Sequence, residues 1–369
     1  MAVLLLTCLC RPCPAEDKTL ITIAVIAPLS GPQAEQGEWI KSGIDLALQA
    51  QPAESRFQVK VVYEDCAGET ASAVSAYQSL RARYQMPVLF SWGSGIGLAL
   101  SPLTNRDRVL QYGLATATPR YRSEGDFTFR DFPSAEREAD FLGNLILKDL
   151  RADSIALFAV NNEYGVGLSA ALKSRLNGHI SIRGEATFEP KTSDFRAELL
   201  RLKSDLPSLI YLAGYPAEAA AIVKQAREAG INSKFLLSSA ALDSSTFLEV
   251  AGQAADGSIV VLPGPEKAEA ENFTERFRAQ HGRNSEPQYA IVRRAFDAFW
   301  LVRRALEHCG KTDPTCLRDT LMSVRSYHGA SGLISFDTAG DVISHQFQVY
   351  SVEGRRLARR TGINPDTAN

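Results

Sequence analysis

An α/β fold with two doubly wound parallel sheets is predicted, on three observations. Short apolar runs alternate with helical patterns over about 20–134, and the alternation resumes over 135–263. The third is the stretch 87–119, PVLFSWGSGIGLALSPLTNRDRVLQYGLATATP. It reads as strand 88–91, glycine-rich loop 92–97, helix 98–104, strand 109–114 and polar loop 115–119, a right-handed βαβ unit. Its polar loops, Gly93-Ser94-Gly95 and Thr116-Ala117-Thr118, fall beyond the carboxyl ends of the strands, where parallel sheets bind ligands. Glycines allow close backbone approach and a helix start carries partial positive charge. With the hydroxyls of Ser94, Thr116 and Thr118, this edge suits an anion or carboxylate.

The other elements follow in order. Residues 20–28 (LITIAVIAP) form an apolar strand ended by the turn Ser30-Gly31-Pro32, and 38–50 is amphipathic through Ile40, Ile44, Leu46 and Leu48. A strand at 59–64 precedes a helix capped by Thr70 and running to Arg83. In the second series, helix 135–150 presents Phe141, Leu142, Leu145 and Ile146 on one face, and strand 154–160 leads through Asn161-Asn162-Glu163-Tyr164-Gly165 into another helix. Strands at 180–188, 209–213, 235–237 and 258–262 alternate with helices at 194–203 and 217–229. After Pro263-Gly264-Pro265 come helices at 269–281 and 289–307, a short helix at 317–324, and two hairpin-like strands, 334–336 and 346–352. The segment past Gly354 is polar and basic and is expected to fray.

A chain of 369 residues holds two domains of ordinary size, and 45% hydrophobic residues is usual for a folded protein. The balance of 40 basic against 42 acidic residues argues against nucleic-acid binding. Residues 1–15 read as a signal peptide: an apolar run over 1–10, then Pro12, Pro14 and Ala15 before Glu16-Asp17-Lys18. Cys8, Cys10 and Cys13 lie within it and are candidate lipid anchors. In the remaining chain, Cys309 and Cys316 bracket a turn-rich GKTDPT, which suits a disulfide in an oxidising compartment. Cys66 then reads as a buried free thiol.

Sharper motifs fail on inspection. A dinucleotide fingerprint would need glycine where Leu98 stands, and a nucleophile elbow around Ser94 would need glycine in place of Trp92 and Ile96. His179, His281, His308, His328 and His345 are scattered singly, so no metal set is expected, and no cofactor. The run Asp337 to Asp341 reads as an Asx-turn and not a calcium loop. Asn272-Phe273-Thr274 is a formal glycosylation sequon on a helical pattern.

Several spaced motifs carry a family resemblance. They are IAVIAPLSGPQAEQG at 23–37, the helix at 43–50, Val61-Val62-Tyr63-Glu64-Asp65 and Glu163-Tyr164-Gly165-Val166-Gly167, the last with one residue fewer between the acid and the tyrosine. Then come Ala213-Gly214-Tyr215, Lys224-Gln225-Ala226-Arg227 with Gly230, and Gly329, Gly332, Phe336-Asp337 and Gly340-Asp341. The chain thus resembles the leucine/isoleucine/valine-type periplasmic substrate-binding proteins of ABC importers, with the type I periplasmic-binding fold.

The resemblance implies two Rossmann-like lobes joined by a three-crossing hinge, with a small ligand captured between them, no catalysis, a periplasmic location and ABC permease subunits as partners. It implies lobe I from 20–134 plus 264–345, lobe II from 135–263 plus 346–360, and a tail at 361–369. Ser94, Thr116 and Thr118 fall where family members hold a ligand carboxylate, and Tyr164 and Tyr215 where they place contact tyrosines. Ser239 stands where amino-acid binders carry a glutamate for the ammonium, with Asp243 nearby; Gln36 replaces a frequent aromatic, and Trp92 adds a large ring. These departures point toward an aromatic or amide ligand, and a ligand sensor of the same fold is the alternative function. Arg294 reads as one position of a solvated helix face, or as a second group for a carboxylate.

Overall fold

The structure, a computed structural model, describes residues 18–52, 54–242, 245–264, 267–282, 290–344, 346–361 and 363. The leader at 1–15, Asp243 and His345 lie outside the described residues.

The first series supplies β1 (Thr19–Ala27), α1 (Ala34–Gln49), β2 (Phe57–Asp65), α2 (Thr70–Arg83), β3 (Val88–Trp92), α3 (Ser94–Arg106), β4 (Leu110–Leu114) and β5 (Thr128–Arg130). Its five strands pair in the order β2-β1-β3-β4-β5, all parallel. The second series supplies α4 (Ala135–Asn144), β6 (Ser154–Val160), α5 (Glu163–Leu176), β7 (Ser181–Phe188), α6 (Arg196–Lys203), β8 (Leu209–Ala213), α7 (Pro216–Glu228), β9 (Lys234–Leu237), α8 (Thr246–Ala251) and β10 (Ile259–Pro263). The last part adds α9 (Lys267–His281), α10 (Ala290–Cys309), α11 (Pro314–Met322), β11 (Tyr327–Gly329), β12 (Gly332–Ile334), β13 (Phe347–Glu353) and β14 (Arg356–Arg359).

The second sheet runs β14-β13-β10-β9-β8-β6-β7, parallel from β7 to β10, with β13 and β14 added antiparallel. Each sheet has its own hydrophobic core, built from β3, β4, α1 and α10 in the first and from β6, β8, α4, α5 and α7 in the second. Central strands β3, β4, β6 and β8 are buried at every residue, which is why they read as unbroken apolar runs.

The structure corrects several sequence expectations. Helix α3 starts at Ser94 and not at 98, because Gly93 takes φ +79° and serves as the N-cap residue, so the glycine-rich segment forms its first turn. Helix 135–150 is α-helical only to Asn144 and widens to a π-turn over Leu145–Asp149. The expected hairpin of 334–336 with 346–352 does not form: β12 pairs with β11, and β13 joins β10 in the second sheet. Past Gly354, residues Arg356–Arg359 do not fray but fold back as β14 against β13. Strand β5 and helix α8 were missed, both being short.

Arg294 lies on neither a solvated face nor the cleft. It is buried on α10, donates to the Asp131 carbonyl, and sits beside Asp131 and Asp297. Cys309 and Cys316 form a disulfide between α10 and α11. Replacing both by serine is expected to cost roughly 2–3 kcal/mol by the chain-entropy relation, read as a lower urea midpoint at unchanged slope. Cys66 is a free buried thiol, pushed up to about 11 by burial, so it stays protonated.

Candidate functional site

Both sheets have a topological switch point. In the first, the chain leaves β1 for β2 on one side and returns to β3 on the other; in the second, β6 leads to β7 on one side and to β8 on the other. Crevices open at the carboxyl ends of such strand pairs. Gln36, Trp92 and Ser94 follow β1 and β3, whereas Tyr164 and Tyr215 follow β6 and β8, and all five line one cavity. The two switch points therefore face each other.

On the first side, Trp92 ends β3 and its Nε1 donates to Gln36 Oε1 at 2.9 Å. Gly93 then turns the chain into α3, whose first amides precede the first intrahelical bond, from Gly97 N to the Gly93 carbonyl. Ser94 Oγ accepts from the amides of Ala117 and Thr118 at 3.0 and 3.2 Å, tying the two polar loops together as their shared edge required. With both contacts accepted, the Ser94 hydroxyl retains its proton for donation. Ala115 makes the bend at φ +52°, a left-handed conformation unusual for a residue with a Cβ. Such strain is held where surrounding contacts over-determine it.

Those contacts come from Arg130, which sequence reading passed over. Its side chain is fully buried, its Nη1 donates to the carbonyls of Thr116 and Thr118 at 3.2 and 2.7 Å, and its Nε and Nη2 grip Asp341 at 2.6 and 2.7 Å. The Gly340-Asp341 pair now has a physical reason. A Cβ on Gly340 would stand 2.3 Å from the Thr128 carbonyl, so only glycine lets Asp341 reach Arg130. Asp337 Oδ1 accepts from the amides of Ala339 and Asp341, the Asx-turn expected there.

On the second side, Asn162 caps α5, its Oδ1 accepting from the amides of Tyr164 and Gly165, and its Nδ2 donates to the Tyr215 hydroxyl at 3.2 Å. Tyr164 stacks on Tyr215 with centroids 5.9 Å apart, and Tyr215 reaches Trp92 across the cleft at 6.4 Å. Phe132, just past β5, completes an aromatic box. Ion pairs from Arg120 to Glu163 (3.1 Å) and from Lys191 to Glu69 (3.4 Å) also span the two sides.

The residues expected in the site are therefore divided by the structure. Ser94, Trp92, Tyr164 and Tyr215 line the cavity. Ser239 is buried beside it at Ala240, with an Oγ that makes no hydrogen bond to the described residues. Thr116 turns inward, donating to the Gly93 carbonyl and packing over Gly97 and Gly113, and lines no cavity. Thr118 lines the outer groove between α3, α4 and α5. The enclosed space is about 20 Å³, room for about one water. A larger ligand enters only if the sides part or the rings turn.

Two facing α/β lobes with a closed aromatic crevice between them define a ligand-capturing clamshell. The chain belongs to the periplasmic binding protein family, whose model matches residues 20–356. A Leu/Ile/Val-binding protein homolog of Brucella melitensis is 25% identical over 345 residues, covering 91% of this chain and 92% of that protein. The leucine-, isoleucine-, valine-, threonine- and alanine-binding protein of Pseudomonas aeruginosa is 23% identical over 354 residues, 93% of this chain and 92% of that one. The crystal structure of a leucine-binding protein, LivK, from Thermotoga maritima matches with a TM-score of 0.87 at 25% identity, covering 94% of this chain and 99% of that one.

Proposed function

We propose that this protein is a periplasmic solute-binding protein that closes two lobes on a small carboxylate-bearing ligand and presents it to the permease subunits of an ABC importer. One observation carries the reading: the N-terminus of α3, with the Ser94 hydroxyl, faces an aromatic box built from both sides. The ligand carboxylate meets Ser94 and the α3 amides, where the helix dipole favours negative charge. Its body lies among Trp92, Tyr164 and Tyr215, whose rings give rigid apolar faces. The lobes divide at 134/135, 263/264 and 345/346, and these crossings absorb the motion. Ligand contacts from both lobes stabilise the closed state.

Calorimetric titration with leucine, isoleucine, valine, benzoate and phenylacetate tests the reading. Ser94→Ala and Tyr215→Ala are each expected to weaken binding at least tenfold, about 1.4 kcal/mol, with unchanged circular dichroism and with the ligand recovered unaltered. Wild-type affinity in both variants would remove the site assignment, and no binding by any probe would remove the substrate class.

Among the described residues, no acidic side chain lines the cavity. An ammonium group therefore gains little over a hydrogen there, and Ser239 offers only a hydroxyl. Leucine and its deaminated analogue, 4-methylpentanoate, are expected to bind within about tenfold of each other. A preference of a hundredfold or more for leucine would place an acid, Asp243 foremost, against the ligand.

A further inference from the structure

A second cavity, of about 100 Å³, lies behind the cleft, where the chain passes between the lobes. Pro263 and Gly264 leave β10 on one side of it; Gln348 and Tyr350 stand on β13; Arg293, on the first turn of α10, reaches in from the first lobe. Among the described residues, no acidic side chain lines it. Arg293 keeps some exposed surface, but its Nε is buried and makes no hydrogen bond to the described residues. Burial and the neighbouring Arg294 push its pKa down to about 10, so it remains a cation at neutral pH.

The nearby acids serve other groups. Asp297 accepts from the amides of Ala330 and Ser331 and from the Ser331 hydroxyl, and Asp131 lies beside Arg294. Gln348 is largely buried and lines the cavity. A buried guanidinium Nε without a hydrogen-bond partner is costly. An anion in the cavity meets that cost. By the measure that gives the crevice room for about one water, this cavity holds about five, enough for a small anion with part of its hydration.

We infer that this cavity is a binding site for a small monovalent anion, chloride foremost, held by the Arg293 guanidinium with the Gln348 amide and the Tyr350 hydroxyl as further donors. Helix α10 packs on α1 in the first lobe while β10 and β13 belong to the second sheet, so the anion ties the lobes together at their hinge. The site is separate from the interlobe crevice, and its test needs no organic ligand.

The test is thermal unfolding of the full chain at constant ionic strength, with chloride exchanged for the bulkier gluconate. Chloride between 1 and 200 mM is expected to raise the wild-type Tm by about 2 °C or more, and Arg293→Met and Gln348→Leu are each expected to abolish that response whatever their own baseline Tm. Crystals soaked in bromide are expected to show an anomalous peak within hydrogen-bonding distance of Arg293. Acetate in place of chloride distinguishes a small carboxylate from a halide in the same site. An equal chloride response in the wild type and both folded variants, or a crystal without a bromide peak at Arg293, would overturn the assignment.

Discussion

Arg130→Met is expected to lower the unfolding free energy by about 3–5 kcal/mol, the range for breaking a buried ion pair from one side, and to abolish ligand capture where the variant still folds. The substitution leaves the buried Asp341 carboxylate without its bidentate partner and frees the carbonyls of Thr116 and Thr118. Those carbonyls belong to the loop whose amides hold Ser94, so the damage passes directly to the Ser94 end of the cleft. Arg122, 3.2 Å from Asp341, moderates the electrostatic loss but is not bonded to the loop. Arg130→Lys keeps the charge without the planar fork and should recover stability better than binding. The double variant Arg130→Met with Asp341→Leu should regain part of the stability, because the orphaned charge is gone. Urea unfolding decides the matter: a loss below about 1 kcal/mol would mean that the loop stands without Arg130.

A second large effect concerns pH. Burial pushes the Asp131 carboxyl up to about 7, with the adjacent Asp297 adding to the shift and Arg294 opposing it. Burial likewise pushes Asp297 up to about 6, against hydrogen bonds from Ser331 and Ala330. Unfolded, both return to about 4. Between about pH 4 and 7 the native state therefore binds more protons than the unfolded chain, and stability falls as pH rises. The contribution is complete below about pH 4 and lost through pH 6–7, on the order of a few kcal/mol. Asp131→Asn should match the wild type near pH 5 and exceed it near pH 8. Melting curves at the two pH values, at fixed ionic strength, check this; a wild type no less stable at pH 8 would show that Arg294 outweighs burial.

Much of the fold is legible in the sequence because the central strands are buried on both faces. Runs such as 154–160 and 209–213 agree with the observed strands to the residue, since no competing pattern exists for them. The α3 start is harder to read: three glycines in five residues look like a loop, and only the positive φ of Gly93 shows that they open a helix. Strand partners are harder still. Residues 346–352 carry a strand pattern, but nothing local says that β10, far back in the chain, is their neighbour. In the site, the resemblance led to Ser94, Tyr164 and Tyr215 and a departure from it to Trp92, and all four line the cavity. Thr116 turns inward away from it, because hydroxyl chemistry does not reveal which way a side chain turns. Arg130 was invisible and the burial of Arg294 unforeseen for the opposite reason, both being charges placed where burial is ordinarily prohibitive.

The packing of α10 on α1 has a consequence for the birth of the molecule. A Cβ on Gly43 would stand 2.3 Å from the Val292 carbonyl, so an early helix is shaped to a late one. The first sheet is complete in its strands by β5, yet one of its faces waits for α10 and α11. The parallel core of the second sheet, from β6 to β10, draws on one continuous stretch and closes shorter loops, which favours faster formation. Order of synthesis and order of folding are thus expected to be reversed: the half made first is finished last, and its apolar helix face is the surface in need of protection until α10 and α11 arrive.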